Sequence, residues 1–421
     1  MRELIENDAL EYLSLEVLSV LQLYTINERL LPNLITLRLW EVREPLIPFI
    51  PLFLSPRTTS ILLDFESDLP KAMVASTVSS LPRLCPELQT IRLYYPSGDP
   101  MITAAVSGMV LATNRNTLQQ FHTDIPLTTE ASEMIFKLSS LRSLSVVTKG
   151  EASLPSASLP NLTKLEITCD NEGDWPRLFH RATFGKLESL IFSPKSEEIG
   201  DFLGAFERVT LSSSVRNTLS KFYLSTSCSW YPNYSSLLPF TQLVELSIGF
   251  SCEDGCSSMV DDNIIINLSR AMPKLAALRL GDDPCEESTM GVTAKGLMTL
   301  ALHCPELRYL RVHLQVASLS APPASPGTGH NTESSGSWAG CALTTLEVGE
   351  IQVGEESVLM VALTLLRIFP RIMSISFVDK GWRKVDEAIR ISKRIADFSS
   401  KHRPLTIPRS NFDDTPTEAD G

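Results

Sequence analysis

Residues 292–312 read VTAKGLMTLALHCPELRYLRV, and they hold both of the periods from which the chain is built. Around Gly296, the residues Val292, Leu297, Leu300 and Ala301 are spaced for one face of a helix. Leu307, Leu310 and Val312 then follow the pattern L-x-x-L-x-L, whose last two positions lie two apart and so share one side of an extended strand. Pro305 divides the halves, because proline has no N–H with which to continue a helical ladder. The unit is strand, turn, helix, proline, strand. The same order returns where Ile264, Ile265 and Leu268 precede Met272-Pro273, and where Leu359, Ala362, Leu363 and Leu366 precede Phe369-Pro370.

Working outward, the strand pattern or a close variant starts at Leu10 (Leu10/Leu13/Leu15), Leu34, Leu88, Leu118, Leu141, Leu162, Leu187, Leu219, Leu243, Leu275, Leu307, Leu343 and Ile372. A degenerate copy, Thr58/Ile61/Leu63, fills the one double-length gap. Successive starts lie 21 to 36 residues apart, with a mean of about 28, at the long end of the leucine-rich-repeat range. The fourth and sixth positions of each unit point into a core, and the third, fifth and seventh point out. One unit alone cannot bury its apolar face, and stacking supplies the missing cover. The expected fold is an α/β leucine-rich-repeat solenoid, a curved horseshoe with a parallel sheet on the concave face and helices on the convex face. It occupies residues 1–380 as about 14 irregular repeats, with the strand register open by one residue around 40–75 and 195–240. The stretch 317–340, ASLSAPPASPGTGHNTESSGSWAG, interrupts it as a disordered loop. Residues 381–401 read as an amphipathic capping helix with Val385, Ala388, Ile389 and Ala396 on one side, and 402–421 as a disordered tail.

Composition narrows the function classes. The chain has 421 residues, 61 of them leucine, and a net charge of −12 without a block of Lys or Arg. That excludes nucleic acid as the main partner, since phosphate neutralisation needs a clustered basic footprint. There is no apolar run of membrane-spanning length, and Glu3, Glu6, Asp8 and Glu11 occupy the zone where a signal peptide needs an apolar stretch. The expectation is a cytoplasmic or nuclear protein, or one found in both, with no membrane contact. Eight scattered cysteines read as reduced, mostly buried thiols. Cys252 and Cys256 lack a second ligand pair and read as an exposed turn, not a zinc site. His303 and Cys304 are adjacent on a helix, so their side chains do not meet. Neither a nucleophile elbow nor a phosphate loop nor a zinc helix is present, so no catalytic residue, cofactor or metal is expected.

The step Cys304-Pro305-Glu306-Leu307 resembles the cysteine-containing leucine-rich repeat, in which a helix ends at Cys-Pro and leads into the next strand. Cys85-Pro86-Glu87-Leu88 repeats it, and Met272-Pro273-Lys274-Leu275 keeps it with a thioether in place of the thiol. This repeat class is best known from F-box proteins, the substrate receptors of SCF ubiquitin ligases. The whole chain resembles the leucine-rich C-terminal region of the divergent F-box families of mushroom-forming fungi. The resemblance covers nearly all the repeats and none of the F-box, so the chain is expected to be N-terminally truncated or a paralogue that has lost that module. It implies a substrate-recognition region whose Skp-type adaptor and cullin dock only if an F-box precedes these residues. The alternative is a stand-alone leucine-rich scaffold or inhibitor with no ubiquitin ligase role.

The outward strand positions are the candidate partner-binding residues. Arg38, Trp40, Arg92 and Tyr94 lie near the start; His122, Asp124, Lys164, Glu166 and Tyr223 follow; Arg279, Tyr309, Arg311 and His313 cluster near the end. Arg, Tyr and Trp carry much of the energy of protein interfaces. Two basic-aromatic patches on an acidic molecule suit an acidic or phosphorylated protein target, which guanidinium groups bind through paired hydrogen bonds.

Overall fold

The structure, a computed structural model, describes residues 3–5, 15–24, 29–96, 98–148, 157–169, 182–194, 203, 206–207, 214–227, 233–251, 260–281, 291–320, 340–348, 353–377 and 380–401. The described strands are β1 Glu3–Ile5, β2 Thr36–Val42, β3 Ser60–Phe65, β4 Thr90–Tyr94, β5 Gln120–Thr123, β6 Ser143–Thr148, β7 Ala157–Leu159, β8 Lys164–Cys169, β9 Ala182–Phe184, β10 Ser189–Pro194, β11 Lys221–Ser227, β12 Glu245–Ser251, β13 Ala277–Leu280, β14 Tyr309–Arg311, β15 Thr345–Glu347 and β16 Ser374–Ser376. Fourteen of them form one parallel sheet in chain order, which β7 and β9 leave to pair with each other. The fourth positions of the repeat run across it in one unslipped row: Leu37, Ile61, Ile91, Phe121, Leu144, Leu165, Leu190, Phe222, Leu246, Leu278, Leu310, Leu346 and Ile375. Every member of that row is buried.

Helices connect most of the strands: α1 Leu15–Tyr24, α2 Lys71–Leu84, α3 Pro100–Ala112, α4 Thr129–Ile135, α5 Asp262–Ala271, α6 Ala294–His303, α7 Val316–Ser320, α8 Val358–Ile368 and α9 Lys380–Lys401. Successive helices pack on one another, α2 on α3, α3 on α4, α5 on α6 and α8 on α9. Their buried residues and the inward row of the sheet make one continuous apolar core. The helix-to-proline step has a constant geometry. Cys85, Met272, Cys304 and Phe369 end their helices with φ between −133° and −117° and ψ between 66° and 77°, each before a proline. A residue ahead of proline is kept out of the helical region by the ring, so the chain turns at the same place each time.

The register decides several expectations. The first strand is Glu3–Ile5, with Leu4 opposite Leu37. Leu15, expected in a strand with Leu10 and Leu13, opens α1 instead, while Leu10 and Leu13 lie outside the described residues. Val292 sits before α6 and bridges to Leu314 rather than joining the helix. On α8 the buried face is Val361, Ala362, Leu365 and Ile368, and Leu359 and Leu363 are exposed. That helix is apolar almost all round, so its period does not single out the face the core takes. Residues 317–320, expected in a loop, belong to α7, which Leu319 anchors in the core; 321–339 lie outside the described residues, as do 402–421.

In the 21- and 25-residue units starting at Leu141 and Leu162 the described residues between the sheet strands are extended. There the core is covered by β7 and β9, through Leu159, Ala182 and Phe184. A three-residue extended segment spans about 10 Å, a reach that takes a helix about seven residues. At the far end α9 closes the sheet. It buries Trp382, Val385 and Ile389, leaves Ala396 exposed against expectation, and brings Asp386 to the open edge of β16. Asp386 Oδ1 accepts from the backbone N–H of Ile375 at 3.1 Å, and Lys393 donates to the carbonyl of Ile372.

Candidate functional site

The sheet face turned away from the core carries the outward positions. Its middle row reads Arg38, Leu62, Arg92, His122, Ser145, Glu166, Ile191, Tyr223, Ser247, Arg279, Arg311, Glu347 and Ser376 on adjacent strands. Neighbouring strands lie about 4.8 Å apart, so the row is a ruler. Arg92 and His122 are immediate neighbours, as are Arg279 and Arg311, and β6, β8, β10, β11 and β12 lie between these two groups.

The second group is an interlocked network. Arg279 lies over the ring of Tyr309, its guanidinium carbon 4.5 Å from the centroid. The Tyr309 hydroxyl donates to Glu347, which also pairs with Arg311 at 3.1 Å. One strand pair earlier, Lys221 and the Tyr223 hydroxyl both donate to Glu245. Burial and the bond to Glu245 push the Tyr223 phenol up to about 12, and burial and Glu347 raise Tyr309. Partial burial alone raises Glu245, but the bonds from Lys221 and Tyr223 and the charges of Lys221 and Arg279 outweigh it and hold the carboxyl below its usual range. The network carries three cations against two carboxylates, and within the expected basic-aromatic patch Arg311 is paired with Glu347. Arg279 has no carboxylate within ion-pair distance among the described residues. His313 lies just beyond β14, where its carbonyl accepts from Val292.

The first group is mixed in charge as well. Trp40 is 44% exposed, beside a strand irregularity at Glu41, whose φ of 48° is left-handed. Arg38 is exposed, and Arg92 and Tyr94 are half-buried. Asp64 stands opposite Tyr94; burial, Asp124 and Glu41 raise its carboxyl. Asp124 accepts from the backbone of Tyr95 at 2.8 Å, and Lys164 pairs with Glu166 at 3.3 Å. His122 is buried against Ser143, 3.0 Å from its hydroxyl; burial, then Arg92 and Lys164, bring its pKa down to about 4. Leu62, also on this face, is only 4% exposed between Arg38 and Arg92. Glu41, Asp64, Lys221, Glu245 and Glu347 join the candidate residues; all but Glu41 stand at outward positions that the repeat pattern already marks.

No protein-family model matches the chain, and no curated protein matches it.

Elsewhere, the described thiols, Cys85, Cys169, Cys304 and Cys341, are buried. Burial pushes Cys85 up to about 11 and Cys304 up to about 12, and it also raises Cys341. Cys304 Sγ lies 3.5 Å from the carbonyl of Met272, and Cys341 Sγ 3.7 Å from that of Cys304, so thiols tie successive repeats. Hydroxyls do the same from Thr117 to Leu88, Ser140 to Leu118 and Thr218 to Leu187. Cys228, Cys252, Cys256 and Cys285 lie outside the described residues. Among the described residues there is no cluster of three His, Cys, Asp or Glu able to hold a metal. No helix among the described residues is long and apolar enough to cross a membrane. A pocket of about 290 Å³ between the turn Tyr234–Leu237 and α5 lies in the helix layer, away from the outward face of the sheet.

Proposed function

We propose that the chain is a leucine-rich-repeat solenoid whose concave sheet face binds a protein target, as the substrate-recognition region of an F-box-like receptor of an SCF ubiquitin ligase. The observation that carries this reading is the fourteen-strand parallel ladder, which sets a long polar and aromatic face opposite an unbroken apolar row. Stacked repeats use such extended faces for recognition. The repeated Cys-Pro step supports the F-box side of the proposal through the resemblance it carries. In this reading the Skp-type adaptor and cullin join through an F-box ahead of these residues, the ubiquitin chemistry is theirs, and the setting is the cytoplasm or nucleus.

The test is affinity purification of the chain together with all coding sequence upstream of Met1, with and without Arg279→Ala/Tyr309→Ala. Co-purification of adaptor and cullin, and a further protein lost in the double variant, is the expected result. A face-dependent partner without adaptor or cullin would replace the receptor by the stand-alone scaffold. The same partners in both preparations would overturn binding through this face.

A further inference from the structure

We propose that Arg92, with His122 on the next strand and Arg38 two strands away, receives a side-chain carboxylate from an acidic segment of the bound target. This deepens the target-binding reading and rests on it. The deciding observation is Arg92 Nε, which is buried and has no hydrogen-bond partner. A buried charged donor without an acceptor is costly, because it has given up water and gained nothing.

The carboxylates around it do not supply the acceptor. Asp64 takes the backbone N–H of Glu41, Asp124 takes that of Tyr95, and Glu166 is paired with Lys164. None of these, nor Glu41, comes within ion-pair distance of Arg92 among the described residues. Leu62, flattened between Arg38 and Arg92 in the same row, gives the two guanidiniums an apolar floor. Low local polarity strengthens a charge-assisted bond made there. His122 sits one strand beyond Arg92, kept neutral by burial and by the cations Arg92 and Lys164. An incoming anion removes that repulsion and favours the imidazolium.

Charge also selects the kind of anion. Arg38 and Arg92 face Glu41, Asp64 and Asp124 one row along, so a second negative charge on the ligand meets more repulsion than attraction. A carboxylate fits this balance better than a phosphate dianion.

The test uses the full chain at low ionic strength with three end-blocked peptides: an oligoglutamate, its phosphoserine counterpart and an oligolysine. Binding is measured by calorimetry, and the titration of His122 by NMR with His122→Gln for assignment. Oligoglutamate is expected to bind and to raise the His122 midpoint by about one pH unit or more. Arg92→Gln, checked for an unchanged melting temperature, is expected to weaken binding at least tenfold, and Arg92→Lys to restore it only in part, since lysine keeps the charge and loses the Nε donor. The proposal is overturned if oligoglutamate fails to bind at millimolar concentration, if Arg92→Gln binds as well as the natural chain, or if phosphoserine or lysine peptides bind more tightly. Peptide binding without any face-dependent cellular partner would leave this site standing and remove the receptor reading. A face-dependent target indifferent to Arg92 would do the reverse.

Discussion

Replacing Gly296 by alanine tests how the repeats are locked together. Gly296 is in the first turn of α6, where a Cβ would lie 2.4 Å from Asp262 Oδ1 and 2.8 Å from Val292 Cγ1. Asp262 opens α5, and its carboxylate crosses to the next helix. It accepts from Thr293 N at 2.8 Å and Thr293 Oγ1 at 2.5 Å, while Thr293 caps α6 by accepting from Lys295 N. The carboxylate cannot retreat from a new methyl group without lengthening both bonds. Hydrogen bonds to a charged group contribute about 1.5–3 kcal/mol each, and alanine returns about 1 kcal/mol of helix propensity over glycine. Gly296→Ala should therefore destabilise the chain by about 2–5 kcal/mol, read as a lower urea midpoint at unchanged slope. A double-mutant cycle isolates the cause. In an Asp262→Ala background the carboxylate clash is gone and the Val292 contact remains, and the same change should cost less than about 1 kcal/mol. A neutral or stabilising Gly296→Ala, or an equal loss in both backgrounds, would refute the carboxylate clamp.

Two further predictions follow from single side chains. His122 is held neutral, with its folded pKa lowered to about 4 from 6.5; between those values the unfolded chain takes up a proton that the folded chain refuses, so stability falls as pH drops through that window. The His122 share is up to about 3 kcal/mol, and acid unfolding of His122→Gln against the natural chain should show that difference vanish from the variant; parallel curves would contradict it. Asp386 is 5% exposed, pairs with Arg390 at 2.8 Å and covers the Ile375 N–H at the edge of the sheet. Asp386→Ala should lower stability by about 1–3 kcal/mol and expose a strand edge, giving concentration-dependent association in light scattering; Asp386→Asn, which keeps the acceptor, should stay monodisperse if the natural chain is.

Thirteen of the fourteen strand units were legible because leucine, isoleucine or phenylalanine recurs at the fourth position, and a one-residue slip would turn each such side chain to solvent. Even Thr58, which breaks the pattern, occupies its leucine position fully buried, with its hydroxyl bonded to the Leu34 carbonyl. The first unit was missed because Leu10/Leu13/Leu15 copies the spacing of a strand, whereas Leu4 makes the pairing with Leu37. At the site, spacing alone put Arg38, Arg92, Arg279 and Arg311 on one face. It could not reveal that Arg311 is paired with Glu347 while Arg92 Nε has no acceptor, because which carboxylate reaches which cation depends on side-chain directions across strands 20 or more residues apart in sequence.

By itself, then, the sequence determined the inward row, the outward row and the prolines that end the helices, all of which follow from local period and backbone chemistry. Tertiary structure alone decided which face of the nearly all-apolar α8 is buried, that β7 and β9 pair with each other over the core, that Asp386 closes the last strand, and how charge is shared on the outward face. Those outcomes depend on contacts between units, and a contact between units has no period along the chain.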